Sequence, residues 1–174
     1  MSGNQIGFIL GAAVGILLLV IYGMAQKKGK KKGWCDFDER QLWARGRAFQ
    51  YGFLTLVIYD ILYGVIYMED APTWCDNFFG NFIGVALAIT VFGTCAIWND
   101  AFMNLNQRPL VVCIFFGGIG LLNLVGACRY IMEGELIVDG KIGMGGINLS
   151  CGIVLLLLTI MFCVKQLRDR RETE

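Results

Sequence analysis

The chain has 174 residues, of which 56% are hydrophobic and only 17% charged, and its formal net charge is +1. A soluble domain carries about 25% charged residues, so this composition excludes a soluble globular domain, a disordered chain and a nucleic-acid binder with a basic face. With no histidine in the chain, imidazole chemistry is excluded too, and an integral membrane protein is the class that remains.

A spanning helix needs about 20 mostly apolar residues. Five stretches qualify: 6–25, 49–68, 79–98, 110–132 and 147–164. The expected fold is therefore all-α, a single polytopic domain over 1–174 with five transmembrane helices. Its loops are too short to hold a soluble domain of about 50 residues. Gly23 and Ala25 are small enough for a signal-peptidase site, but residues 1–5 carry no positive charge. The first stretch is therefore expected to stay as an uncleaved anchor. Within it, Gly7, Gly11 and Gly15 repeat at the spacing that lets two helices approach closely. That contact serves either the chain's own bundle or a partner chain.

After the first stretch comes KKGKKKG, with Lys27, Lys28, Lys30, Lys31 and Lys32. Each lysine gains about 1 kcal/mol beside an anionic leaflet, and the same residues serve as stop-transfer charges. Residues 34–48 read as an interfacial helix that feeds the second span. Asp36 or Asp38 caps it, Trp43 anchors it, and Arg40, Arg45 and Arg47 face lipid phosphates. Counted over the loops, 13 of the 15 Lys and Arg fall on one side of the five spans. The positive-inside rule then places the N-terminus outside and the C-terminus in the cytoplasm.

In the second span, Asp60 lies near the middle of LVIYDILYG. A charged side chain at that depth costs about 2.5–3.5 kcal/mol on insertion scales. At 100° per residue it shares a face with Phe53, Leu56, Tyr63, Gly64 and Tyr67, and this face is expected to look into the bundle. Gly64 would admit a neighbouring backbone. Asp60 reads either as a proton- or cation-binding carboxyl on a transport path, or as a buried acid hydrogen-bonded to Tyr63 or a neighbouring helix. Gly80 and Gly84 repeat the small-residue spacing in the third span.

In the fourth span, Asn123 reads as packing glue between helices. Arg129 either reaches inward to Asp60 or, preferably, snorkels outward to Glu133. The glycine-rich segment 134–146 reads as a mobile loop or a short hairpin. The seven cysteines have no C-x-x-C spacing, so no metal or other cofactor is expected. Whether Cys75 pairs with Cys128 is open. Missing motifs for hydrolase or metallopeptidase chemistry argue against an enzyme.

The run DERQLWARGRAFQYGF carries Asp38, Glu39, Arg40 and Gln41, then Ala44, Arg45 and Gly46. It resembles a segment of small bacterial multi-pass membrane proteins of unknown function, in which such a stretch leads straight into an apolar span. The resemblance implies a bacterial cytoplasmic membrane and supplies no activity. The expected role is a non-catalytic accessory or regulatory membrane component. Its basic face would meet anionic lipid, a membrane-protein partner or a second copy, with nucleic acid excluded. The alternative is a small oligomeric proton- or cation-coupled transporter or channel that uses Asp60.

Overall fold

A computed structural model of the chain describes residues 37–69, 74–103 and 109–173. The expected first span, with Gly7, Gly11 and Gly15, and the cluster from Lys27 to Lys32 lie outside the described residues. Within them are four long helices: α1 (Glu39–Glu69), α2 (Asn77–Trp98), α3 (Pro109–Met132) and α4 (Met144–Thr173). All four are long and apolar enough to cross a membrane. Two short strands, β1 (Ile137–Val138) and β2 (Lys141–Ile142), stand between α3 and α4.

Two helices are longer than their apolar stretches. α1 has 31 residues and α4 has 30, about 45 Å each at 1.5 Å per residue, against a hydrocarbon core of about 30 Å. The helix expected to feed the second span is continuous with it, forming the first third of α1 from Glu39; residues 34–36 lie outside the described residues. The reason is local, since nothing between Glu39 and Phe49 breaks a helix except Gly46, which costs only about 1 kcal/mol. The start is fixed by a reciprocal cap. Asp38 Oδ1 accepts from the Gln41 amide at 2.6 Å, and Gln41 Oε1 accepts from the Asp38 amide at 3.3 Å, the two halves of a capping box.

The helices pack in the order α1–α2–α4–α3. The most completely buried residues are small. Ala48, Ala96, Ala101 and Ala127 are at most 1% exposed, while Trp43, Phe49, Met68, Leu122 and Met132 are 67–88% exposed. That inversion of a soluble core is what lipid permits. Acyl chains are as apolar as leucine, so helices associate by close contact of small residues.

The α1–α2 contact is a ring-on-glycine pairing. Tyr59 and Tyr63 stack with centroids 5.8 Å apart and lie on Gly84 and Gly80 of α2. A Cβ at either glycine would collide with the facing ring. The Tyr59 hydroxyl donates to the Gly80 carbonyl at 2.6 Å. On the other flank, a Cβ on Gly152 of α4 would lie 2.6 Å from Leu124 and 3.1 Å from the Gly120 carbonyl of α3. Between α2 and α4, Ile97, Leu158 and Phe162 form a buried cluster, with Cys113 of α3 packed against it.

The α3–α4 seam places the Cys113 and Cys163 sulfurs 3.6 Å apart. Mild oxidation with copper phenanthroline in detergent is expected to join them as a disulfide. Thiol counting and a cross-linked peptide would report it. Both thiols remaining free after full treatment would contradict this seam.

The turn over 134–146 is a hairpin. Asp139 and Gly140 both take positive φ, 52° and 76°, the requirement of a tight two-residue type I′ connection, which Asp-Gly meets well. β2 is paired on its other side as well. The Ile142 amide donates to the Trp74 carbonyl at 2.9 Å, and the Asp76 amide to the Ile142 carbonyl at 3.0 Å. The α1–α2 and α3–α4 connections are thus joined by main chain. Asp76 also caps α2, its Oδ1 accepting from the Phe79 amide at 2.6 Å. Cys75 is buried and free, and Cys128 is exposed and free, so the pairing left open by the sequence is not made.

Candidate headgroup-level site

The opposite end of the bundle gathers most of the polar side chains that bridge helices. Gln41, besides capping α1, donates from Nε2 to the Asp100 carbonyl at 2.7 Å and to the Met103 carbonyl at 3.4 Å. Asp100 follows the α2 C-cap residue Asn99 with φ of 55°. From α4, Lys165 reaches Asp100 Oδ1 and Asp169 Oδ2, both at 2.8 Å. The lysine side chain is only 12% exposed. One short turn thereby holds the start of α1 and the polar third of α4 together.

Beside this network lies an open groove of about 530 Å³. Arg40, Trp43, Ala44, Arg47, Ala48 and Tyr51 of α1 form one wall, with Cys95 and Asn99 on the α2 side. Arg40 and Arg47 are exposed and seven residues apart, so they share a face of α1 about 10 Å apart along its axis. Among the described residues neither is within ion-pair distance of a carboxylate. Arg45 is placed differently. Its guanidinium sits 4.6 Å from the centroid of the half-buried Phe37 ring, a cation–π contact, rather than beside Arg40 and Arg47 as the sequence reading has it.

The residues expected to form an ion or proton site are not brought together. Asp60 is exposed, on the outward side of α1. Gly64 is exposed as well, with nothing within 4 Å of the position a Cβ would take. The expectation that this face looks into the bundle is therefore corrected. Tyr63 is buried at 8% exposure, because the glycines of α2 admit its ring. Its hydroxyl makes no hydrogen bond to Asp60 or to any other described group. The adjacent Cys75 thiol does not reach hydrogen-bond geometry. Burial pushes that thiol above its ordinary pKa, so Cys75 stays protonated and weakly nucleophilic at neutral pH.

Asn123 donates to the Ile119 carbonyl of its own helix at 2.9 Å. Arg129 lies 3.6 Å from Glu133, with both side chains more than half exposed. Since α1 packs on α2 and α3 on α4, Asp60 and Tyr63 stand on one flank of the bundle, Asn123 and Arg129 on the other.

Sequence reasoning missed the bridging roles of Gln41, Asp100 and Lys165. It also missed the pairing of Tyr59 and Tyr63 with Gly84 and Gly80. Two matching four-residue spacings on successive spans were the available signal for the second. Among the described residues, no group of three or more Cys, Asp or Glu is arranged to hold a metal ion. No family model, curated protein or solved structure matches the chain.

Proposed function

We propose that the protein is a non-catalytic accessory or regulatory component of a bacterial cytoplasmic membrane. In this reading residues 6–25 form a fifth span, the N-terminus is outside, and the C-terminus is cytoplasmic. The basic end of the bundle meets the anionic inner leaflet and a membrane-protein partner or a second copy. One observation carries the reading. The polar thirds of α1 and α4 lie at the same end and bring Arg40, Arg45, Arg47, Lys165, Arg168, Arg170 and Arg171 together. The other end carries Asp76, Glu133, Glu135 and Asp139 against Arg129 and Lys141. Such an asymmetry orients a polytopic chain with its basic end inward.

The test has two arms. Single cysteines engineered into a cysteine-free variant and treated with an impermeant maleimide in intact cells should label near residue 3 and not near residue 30. Changing Lys27, Lys28, Lys30, Lys31 and Lys32 to glutamine should then remove a partner recovered by cross-linking from native membranes. An unchanged partner profile with orientation preserved counts against the proposal.

A second reading draws on the exposure of Asp60. A carboxyl facing outward at mid-span needs a polar partner, and a second copy of α1 would supply one. The protein would then be a small oligomeric transporter or channel coupled to protons or cations. Five helices with one such acid are sparse for this task, so the accessory role is preferred.

A further inference from the structure

We propose that the groove beside Arg40 and Arg47 is a binding site for the phosphate of a single anionic phospholipid. The inference rests on the reading of this end as the inner headgroup layer, and it assigns that layer a specific site rather than a diffuse attraction.

Several basic side chains are already engaged. Lys165 is held by Asp100 and Asp169, Arg168 by Glu172 at 2.9 Å, and Arg129 lies 3.6 Å from Glu133. Arg45 is engaged with the Phe37 ring. Arg40 and Arg47 have no carboxylate partner among the described residues, and both line the same groove. Each presents a planar fork of donors that fits phosphate oxygens in pairs.

The short side chains of Ala44, Ala48 and Cys95 line a groove of about 530 Å³. Trp43 stands between the two arginines in sequence and is 76% exposed. An indole with that exposure is at home among headgroups and ester carbonyls.

The lining selects a lipid over a soluble phosphate. The groove mixes charge at Arg40 and Arg47 with apolar lining at Trp43, Ala48 and Cys95. It lies where α1 passes from its polar third into its apolar stretch. A phosphodiester with tails meets both halves of that lining, while inorganic phosphate meets only the first.

The test uses the full chain, purified in detergent and exchanged into nanodiscs or lipid-doped micelles. Native mass spectrometry should show one phosphatidylglycerol retained per chain in preference to phosphatidylcholine. R40Q/R47Q should weaken that retention by about tenfold or more, the scale of one lost charge-assisted contact, while Arg129→Gln, at the opposite end, leaves it unchanged. Arg47→Lys, which keeps the charge without the fork, should fall between. Circular dichroism confirms that each variant is folded.

Equal phosphatidylglycerol retention by folded R40Q/R47Q overturns the site. So does a response to inorganic phosphate or glycerol 3-phosphate that matches the lipid response. Loss of retention on neutralising the five lysines alone, with R40Q/R47Q unaffected, would overturn the groove and leave the basic-face reading standing. Inverted maleimide labelling with retention still governed by Arg40 and Arg47 would do the reverse.

Discussion

Gly80→Ala is expected to destabilise the protein by about 1–3 kcal/mol, the usual cost of overpacking a filled contact. The new methyl would overlap the ring of Tyr63, which is buried against α2 and cannot swing to solvent. Any retreat of that ring also disturbs its stacking partner Tyr59, whose hydroxyl bond to the Gly80 carbonyl depends on the same spacing. Thermal unfolding in detergent measures the effect, and a double-mutant cycle isolates its cause. Tyr63→Ala alone leaves a void and is costly, but combined with Gly80→Ala it gives the methyl a place to sit. The double variant should therefore be less damaged than the sum of the singles, by about 1 kcal/mol or more. Strict additivity would mean that α1 and α2 do not meet through these residues.

Asp60→Leu has the other large expected effect, and its sign is informative. The side chain is exposed on an apolar stretch of α1, about 12 Å from Met68 along the axis. If lipid surrounds it, leucine should favour insertion of this span by about 2.5–3.5 kcal/mol, with the folded chain unharmed. A translocon-based insertion assay on the segment and a melting curve on the whole protein read the two parts. If the whole protein instead loses stability or changes oligomeric state, Asp60 is held by another polar surface and the transport reading gains. In that event Asp60→Asn should keep the assembly and abolish a pH-dependent flux in proteoliposomes.

The helices themselves were legible because hydropathy over 20-residue windows depends only on composition. The hairpin was half legible, since Asp139-Gly140 is a strong signal for a tight turn and the alternative was a mobile loop. What could not be read was the face of α1 that turns inward. In water, polarity marks the outside of a helix, so a lone acid on an apolar stretch invites an inward assignment. In lipid that guide fails, and steric fit decides. Two tyrosines find two glycines, and Asp60 and Gly64 are left exposed beside them. The role of Lys165 has no local signal. It follows directly on the apolar run of α4, and Asp100 and Asp169 enclose it. Asp100 lies 65 residues away in sequence, beyond the reach of any local pattern. Gln41 carries no local sign of a bridging role. Its reach to the Asp100 carbonyl needed the antiparallel placement of α1 and α2.

The strand pairing between Trp74–Asp76 and Ile142 is a weld made of amide and carbonyl groups alone. Side-chain chemistry contributes nothing to those two bonds, so exchanging Trp74 or Ile142 for another residue leaves them intact, provided it is not proline. Proline at 142 or 76 would remove a donor outright. This rim of the molecule can therefore drift in sequence, and present new surfaces to whatever lies beyond it, without loosening the two helical hairpins from each other.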